Sequence, residues 1–154
     1  MVDLDVAFVP TPKRIVRAML QLASLRRGET LFDLGAGDGR IMIEAARKFG
    51  AHAVGVEISP EHITRIKERL AATGTKADLI ESDIFEVNLA SADVITIYLS
   101  ESANARLVQK LNDELKPGTR IVSLDYQLPG WVPKRELEVA ASGISRTIYL
   151  YQKP

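Results

Sequence analysis

The chain has 154 residues, which is enough for one compact domain with a hydrophobic core, and 46% of them are hydrophobic while 26% are charged. Twenty basic residues balance twenty acidic ones, so the composition argues against a protein that holds nucleic acid by electrostatics alone. The sequence has no cysteine, which excludes disulfides, thiolate nucleophiles and cysteine-ligated zinc.

The N-terminal residues MVDLDVAFVP lack the positively charged start and long apolar core of a secretory signal. No apolar run is long enough to span a membrane. We therefore expect a cytoplasmic protein without membrane contact, and nothing in the sequence argues for an oligomer, so we expect a monomer. Without repeats or low-complexity linkers, residues 1–154 are predicted to form a single domain, in which residues 1–28 are an N-terminal lead-in and helix.

Helices and strands are predicted to alternate along most of the chain. After a stiff lead-in, Val9-Pro10-Thr11-Pro12, apolar residues at helical spacing predict a helix that ends near Gly28. Further helices are predicted at 39–49, from Ser59 and Pro60 onward, and at 101–115. Strands are predicted for TLFDL (30–34), HAVGVEI (52–58), KADLIES (76–82), ADVITIYL (92–99) and RIVSLD (120–125).

The C-terminal tail follows a different pattern. RELEVA (135–140) and SRTIYLYQ (145–152) flank ASG with no room for a helix, so they predict an antiparallel hairpin. The whole pattern predicts an α/β protein with a doubly wound, Rossmann-like, seven-stranded sheet that is mostly parallel and ends in this antiparallel hairpin.

Three glycines spaced two apart form the turn between the first predicted strand and the next helix. Gly35, Gly37 and Gly39 let a ligand approach the backbone, and the helix N-terminus beyond them offers free N–H groups. The dinucleotide fingerprint G-x-G-x-x-G needs a third glycine one position later than Gly39. The turn therefore predicts a site for a nucleotide-like cofactor other than a dinucleotide.

Two carboxylates end the next two predicted strands. Glu57 lies twenty residues past Gly37, where it can accept both hydroxyls of a ribose. Asp83 ends the third strand, where it can take the exocyclic amine of an adenine. Each of them, taken singly, could also be a solvated loop carboxylate.

The segment Asp33 to Gly39, together with Glu57 and Asp83, resembles the pattern of class I S-adenosylmethionine-dependent methyltransferases. The chain also looks similar to archaeal protein-lysine methyltransferases and to the mitochondrial enzyme that methylates the ATP synthase c subunit. The segments that carry this closer resemblance are FVPTP, LGAGDGR, GVEISP, YLSESAN, LKPGTRIVS and the GW-P run at 130–133. The resemblance implies S-adenosyl-L-methionine as cofactor. It implies a cofactor-binding set of Thr11, Asp33, Gly35, Gly37, Glu57, Asp83, Ile84, Tyr98 and Leu99. The family carries a histidine where this chain has Leu124.

In this architecture the fourth strand ends at the transferred methyl group, and here it ends in Tyr98-Leu99-Ser100. This run is neither the Asn/Asp-Pro-Pro-aromatic motif of adenine and glutamine methyltransferases nor a metal-binding carboxylate, so we predict no metal site. Tyr98 is the candidate catalytic residue, since it can face a lysine stem and orient the nitrogen. It could instead be a core or rim tyrosine.

Three further residues complete the predicted substrate-binding set: Ser100, Asn104 and Trp131. Asn104 could hydrogen-bond into the site or be a surface asparagine, and Trp131 could wall the substrate entrance or plug the core under a shortened loop. Thr11, in turn, could close over the methionine end of the cofactor or simply cap a helix.

The resemblance favours a protein-lysine N-methyltransferase whose partners are proteins with exposed lysines, without stable nucleic-acid binding. Two alternatives remain open at this point. One is a methyltransferase acting on RNA or a small molecule, and the other is a non-catalytic S-adenosylmethionine-binding regulator.

Overall fold

The structure, a computed structural model, describes residues 10–154, so the part of the predicted lead-in before Pro10, including Val9, lies outside the described residues. The described part contains four helices: α1 (Lys13–Leu22), α2 (Arg40–Phe49), α3 (Pro60–Thr73) and α4 (Glu101–Glu114). Its seven strands are β1 (Thr30–Leu34), β2 (His52–Glu57), β3 (Asp78–Glu81), β4 (Val94–Ile97), β5 (Arg120–Leu124), β6 (Arg135–Ala141) and β7 (Ile144–Gln152).

All seven strands belong to one sheet with the order β3-β2-β1-β4-β5-β7-β6. Strands β1 to β5 pair in parallel, whereas β7 runs antiparallel to both β5 and β6. The predicted fold class is therefore confirmed, including the antiparallel hairpin at the C-terminus. Since β1 lies between β2 and β4, the crevice at the carboxyl ends of these strands is the position where such sheets bind ligands.

Two hydrophobic clusters cover the two faces of the sheet. Helices α1, α2 and α3 pack on one face, where Met19, Met42 and Ile66 are fully buried. Helix α4 packs on the other face through Leu107 and Leu111. Every residue of β4 is buried, as expected of a parallel strand that is covered on both faces.

Local signals in the sequence explain where the helices begin. Gly39 precedes α2 with a φ of +85°, and a Cβ built on it would lie 3.2 Å from Ile66 Cγ1, so both conformation and packing favour glycine. Helix α3 begins with Pro60 after the N-cap Ser59, as predicted. None of the helices within residues 10–154 is long and apolar enough to cross a membrane.

Four of the predicted strands are longer than the observed ones, and the largest differences are in the third and fourth. The fourth predicted strand extends to Leu99, but β4 ends at Ile97, because the chain leaves the sheet at Tyr98 to reach the cap of α4. The third predicted strand spans residues 76–82, whereas β3 covers Asp78–Glu81. Between β5 and β6 the chain forms a loop, residues 125–134, instead of a crossover helix.

Candidate active site

The glycine turn connects β1 to α2 at the carboxyl edge of the sheet. Its glycines have positive φ angles: +78° at Gly35, +61° at Gly37 and +85° at Gly39. The main-chain N–H groups of Gly35 and Ala36 both donate to the carbonyl oxygen of Val56 at 2.9 Å, which fixes the turn against the end of β2. Gly35 is exposed although β1 is buried, so its backbone is open to a ligand.

Glu57 fastens the glycine turn from the end of β2. Its Oε1 accepts from the N–H of Gly37 at 2.7 Å, and its Oε2 accepts from the N–H groups of Ile58 at 3.1 Å and Ser59 at 3.0 Å. His62 lies close, with Nδ1 3.7 Å from Oε2. A carboxylate has about four acceptor positions, so these three bonds leave capacity for a hydroxyl donor such as that of a ribose.

Asp33 lies beneath the turn, on β1, with only 2% of its surface exposed. Its Oδ1 accepts from the hydroxyl of Thr96 on β4 at 2.9 Å. Burial raises the pKa of Asp33 to about 7, against the effect of the Thr96 hydrogen bond, and the nearby charges of Glu57 and Asp38 raise it further. Asp33 therefore joins β1 to β4 under the crevice instead of pointing out from it.

Asp83 and Ile84 follow β3, beside the end of β2. The N–H of Ser82 donates to the carbonyl of Glu57 at 3.1 Å, which brings the two strand ends together. Asp83 is half-buried, and its Oδ1 accepts from the N–H of Phe85 at 3.0 Å. Ile84 is half-buried against the cluster that α4 covers. The predicted cofactor residues of β1, β2 and β3 thus lie along one edge.

The lead-in also reaches this edge. Thr11 is 4% exposed, and its carbonyl oxygen accepts from Nη1 of Arg40 at 2.8 Å. The alternative reading of Thr11 as a helix cap is wrong, because Pro12 is the N-cap residue of α1 and its carbonyl accepts from Ile15 and Val16. Arg40 itself continues to Asp38 in the glycine turn, with Nη2 donating to Oδ2 at 2.6 Å.

Tyr98 lies where β4 ends, among aromatic and charged side chains. Its ring stacks on that of Tyr126 with centroids 6.3 Å apart and planes 14° from parallel. The guanidinium of Arg146, on β7, lies 5.1 Å from the centroid of the Tyr98 ring. The same guanidinium donates two hydrogen bonds to Oδ2 of Asp125, one from Nε at 2.9 Å and one from Nη2 at 2.7 Å. Burial is the main cause that raises the pKa of the Tyr98 hydroxyl, although Arg146 acts in the opposite direction. The half-buried Tyr98 thus closes the strand and also forms part of a group of polar side chains at the edge of the sheet.

The next predicted residues, Leu99 and Ser100, connect β4 to α4. Leu99 is buried, and a Cβ added to Gly35 would lie 3.0 Å from its Cδ2, so this leucine packs directly on the glycine turn. The hydroxyl of Ser100 accepts from the N–H of Ala103 at 3.1 Å as the N-cap of α4. Ser100 therefore has a structural role that its prediction as a substrate residue did not include.

Asn104 is fully buried, so its alternative reading as a surface asparagine is wrong. Its Nδ2 is within 3.3 Å of Ser123 Oγ, 3.2 Å of the Tyr126 carbonyl and 3.1 Å of the Gln127 carbonyl. These three acceptors fix the orientation of the amide. Its Oδ1 is buried without a hydrogen-bond partner among the described residues, which is uncommon for a buried acceptor.

Trp131 is half-buried in the loop between β5 and β6. Its ring meets that of Tyr151 edge-on, with centroids 6.2 Å apart, and packs against the cluster under α4. The same residue lines an open cavity of about 360 Å³. The cavity is lined by Glu101, Asp125, Tyr126, Gln127, Leu128, Pro129, Gly130, Trp131 and Tyr149. The packing agrees with the reading of Trp131 as a core plug, while its role at a substrate entrance stays a prediction.

The sheet order, the glycine turn and the carboxylates at successive strand ends together define a class I methyltransferase. The chain matches the family model of the ANTKMT methyltransferase domain over residues 33–135. It therefore belongs to this family of methyltransferases. The matched range contains every predicted site residue except Thr11.

Curated relatives agree with this assignment. A protein-lysine N-methyltransferase of Saccharolobus islandicus is 41% identical over 149 residues, which cover 95% of this chain and 92% of the relative. The lysine N-methyltransferase of Rattus norvegicus that is named for the ATP synthase C subunit is 34% identical, over 82% of this chain but only 58% of the relative. The similarity to the archaeal relative thus extends over nearly the whole of both chains.

A solved structure shows the same fold with a cofactor product. The structure described as an RNA methyltransferase from Salinibacter ruber in complex with S-adenosyl-L-homocysteine has a TM-score of 0.88 and 39% identity, covering 95% of this chain and 94% of that one. The predicted cofactor is confirmed at the level of its class: this protein is an S-adenosyl-L-methionine-dependent methyltransferase. The open backbone at Gly35 and the remaining acceptor capacity of Glu57 fit that cofactor.

Several residues at the site were not among those predicted from the sequence. Arg40 and Asp38 are part of the motif LGAGDGR, so a signal for them was present. Asp125, with a φ of +66°, and Arg146 had none, because they are 21 positions apart and meet only when β7 pairs with β5.

Proposed function

We propose that this methyltransferase transfers a methyl group from S-adenosyl-L-methionine to Nζ of lysine side chains in proteins. The observation that carries the proposal is the cavity beside Tyr126, which has aromatic walls and the carboxylate of Glu101 in its lining, while the second carboxylate there, Asp125, is paired with Arg146. Aromatic faces and carboxylates attract a cation, and a lysine side chain is a slender cation on an apolar stem. The curated relatives named as lysine methyltransferases support the same substrate class.

The cofactor is proposed to bind along the edge formed by the ends of β1 to β4. Glu57 accepts the ribose hydroxyls, and Asp83 accepts from the exocyclic amine of the adenine. Gly35 and Gly37 bring the backbone close, with Asp33 supporting them from below. Apolar contacts come from Ile84, Leu99 and the ring of Tyr98, while Thr11 covers the methionine end.

Methyl transfer to an amine needs an uncharged nitrogen in line with the methyl carbon and the sulfur. The cofactor supplies an electrophilic methyl group on a sulfonium. The protein holds the acceptor nitrogen, and desolvation of the lysine next to Tyr98 and Tyr126 lowers its pKa from about 10.4, so that its proton leaves to water. Alignment then contributes most of the acceleration.

Tyr98 is proposed to orient the nitrogen without acting as a base. Because burial raises the pKa of its hydroxyl above the ordinary value, the tyrosinate form is scarce at neutral pH. A neutral hydroxyl can accept a hydrogen bond from the amine or donate one, which suits orientation. Three more residues complete the proposed acceptor side. Ser100 caps α4 just after Tyr98, and Asn104 holds the loop that carries Tyr126. Trp131 is proposed to guide the incoming chain.

RNA is the second candidate substrate, because the Salinibacter ruber structure is described as that of an RNA methyltransferase. Both the balanced charge of the chain, with 20 basic and 20 acidic residues, and the Glu101 carboxylate at the cavity favour a cationic acceptor over a polyanion. We therefore propose no stable nucleic-acid binding.

Incubation with methyl-labelled cofactor tests the proposal directly. A mixed protein extract and total RNA are offered together, and the labelled material is treated with protease or with nuclease. Label that survives nuclease, is released by protease and hydrolyses to methyl-lysine supports the proposal. Label that only nuclease releases would replace it with RNA methylation, and no label in either pool would favour a non-catalytic regulator.

Three properties remain predictions: a single domain, a monomer and a cytoplasmic location. Light scattering after size exclusion measures the mass against 17.0 kDa for one chain. One cooperative unfolding transition by calorimetry is the expected signature of a single domain. Cell fractionation tests the location.

A further inference from the structure

One guanidinium group connects two segments of the cofactor edge that are far apart in sequence. Arg40 is the first residue of α2, and its Nη1 donates to the carbonyl oxygen of Thr11, 29 positions earlier, at 2.8 Å. Its Nε donates to Oδ1 of Asp38 at 3.0 Å and its Nη2 to Oδ2 at 2.6 Å. Asp38 is part of the glycine turn, so the lead-in and the turn are bound to the same side chain.

These contacts use the fork geometry of arginine. A planar guanidinium can bind a carboxylate with two N–H groups and still direct a third at another acceptor, whereas a lysine ammonium cannot match this arrangement. Asp38 is 7% exposed; burial acts to raise its pKa, but the hydrogen bond from Arg40 and the charges of Arg40 and Arg69 lower it. The hydrogen bond that Arg40 donates to Asp38 in turn raises the pKa of Arg40, so both groups stay charged.

We propose that Arg40 is a positioning residue that fixes Thr11 against the glycine turn, so that the lead-in and the turn bind the methyl donor as one preorganised unit. The inference rests on the proposed placement of Thr11 over the cofactor. If Arg40 is lost, the lead-in must be ordered at the moment of binding, and this ordering reduces affinity. The methyl acceptor plays no part in this loss of affinity for the methyl donor. The expected loss is therefore the same whether the acceptor is a protein or an RNA.

Arg69 provides a matched control. From α3 it binds the same carboxylate, with Nη1 2.9 Å from Oδ2 of Asp38. Within residues 10–154 it makes no hydrogen bond to the lead-in. Removal of Arg69 therefore weakens the neutralisation of Asp38 but leaves the connection to Thr11 in place, which separates the two roles.

The first measurement is binding of S-adenosyl-L-homocysteine by calorimetry, without any acceptor. Arg40→Met is expected to weaken binding about tenfold, and Arg40→Lys almost as much, because a lysine cannot bridge both acceptors. Arg69→Met is expected to stay within about twofold of the parent. Equal losses in the Arg40 and Arg69 variants, or no loss in either, would overturn the inference.

The second measurement is amide hydrogen exchange without cofactor. The N–H groups of Ile15 and Val16 both donate to the carbonyl of Pro12 at 3.0 Å, next to Thr11, so they report on the lead-in. Exchange at least about fivefold faster in Arg40→Met, and parental in Arg69→Met, is expected. Parental exchange in the Arg40 variants would overturn the inference, as would faster exchange without a loss of affinity.

Two checks keep these outcomes distinct. If Arg40→Met does not fold, as judged by circular dichroism, Arg40→Lys supports the same comparison because it keeps a cation beside Asp38. Thr11→Ala tests the proposed side-chain contact of Thr11 separately, since the bond from Arg40 uses the main-chain carbonyl. Methyl-acceptor assays then decide the proposed function independently of both.

Discussion

The two halves of the active-site edge are built in different ways. The half at the ends of β1, β2 and β3 is defined by backbone: glycines with positive φ and a carboxylate, Glu57, that binds three main-chain N–H groups. The half at the ends of β4 and β5 is defined by side chains, since the ring of Tyr98 contacts both Tyr126 and Arg146. On the proposed placement of cofactor and acceptor, a methyl donor common to many enzymes suits the fixed backbone half, whereas an acceptor that differs between enzymes suits the side-chain half, called here the acceptor half.

Tyr98 gives the largest expected effect and tests the acceptor half. Tyr98→Ala removes a wall of the site and should lower kcat about 100-fold, because small misplacements of the acceptor are costly, while cofactor affinity changes much less. Tyr98→Phe keeps the stacking on Tyr126 and loses only a hydrogen bond, so a fall of about two- to tenfold is expected. Steady-state rates with saturating cofactor measure both.

The pH dependence of these variants provides the control. The rate should rise with pH as the acceptor lysine deprotonates, in the parent and in Tyr98→Phe alike. An inactive Phe variant whose profile has lost an ionisation would mean that the hydroxyl transfers a proton. Full activity in Tyr98→Ala would show that the end of β4 is not at the reaction centre.

Glu57 tests the backbone half. Glu57→Ala removes the acceptor for Gly37, Ile58 and Ser59 as well as the proposed ribose contact, and should weaken cofactor binding by roughly 1–3 kcal/mol. Calorimetry measures the change, and Glu61→Ala, on the exposed first turn of α3, is the matched control. Affinity within twofold of the parent would count against the role of Glu57. NAD in the same assay should give no heat.

Asp33 gives a further test of the backbone half, because it is buried beneath the glycine turn and supports it from β1. Its folded pKa of about 7 exceeds the ordinary value, so the folded state binds more protons between about pH 4 and 7 and stability falls as the pH rises through this range. The parent should lose about 2 kcal/mol of unfolding free energy between pH 5 and 8 from this group. Asp33→Asn should show a flatter profile in denaturant titrations. Parallel profiles for the two proteins would contradict the burial account.

Trp131 should give the smallest effect, confined to the acceptor half. Trp131→Ala shortens one wall of the cavity and should raise KM for a protein acceptor about three- to tenfold, with cofactor affinity unchanged. Thermal unfolding measures the stability that the packing of Trp131 on Tyr151 contributes. Because Trp131→Phe retains part of this packing, comparing the two variants separates the effect on stability from the effect on KM. A variant that lowers kcat but leaves KM unchanged would argue against a role in substrate entry.

The contrast also explains what the sequence could predict. The alternation of apolar runs predicts the sheet and its hairpin, and the spacing of Gly35, Gly37 and Glu57 predicts the backbone half, because both depend on local patterns and strand ends. The contact of Tyr98 with Tyr126 depends on the pairing of β4 with β5, and that with Arg146 depends on how β7 pairs with β5, neither of which a short-range pattern specifies. The sequence alone leaves open whether Asn104 reaches the site or the surface, and its acceptors in the loop after β5, which no short-range pattern shows, account for its burial.

Asn104 has a mechanical consequence for the acceptor half. Because its amide nitrogen lies within hydrogen-bond reach of the carbonyls of Tyr126 and Gln127, helix α4 is joined to the loop that carries Trp131. The same loop is also held to β7, because the N–H of Leu128 donates to the hydroxyl of Tyr151 at 2.9 Å. A wall held at both points is expected to limit the range of acceptor shapes that the enzyme tolerates.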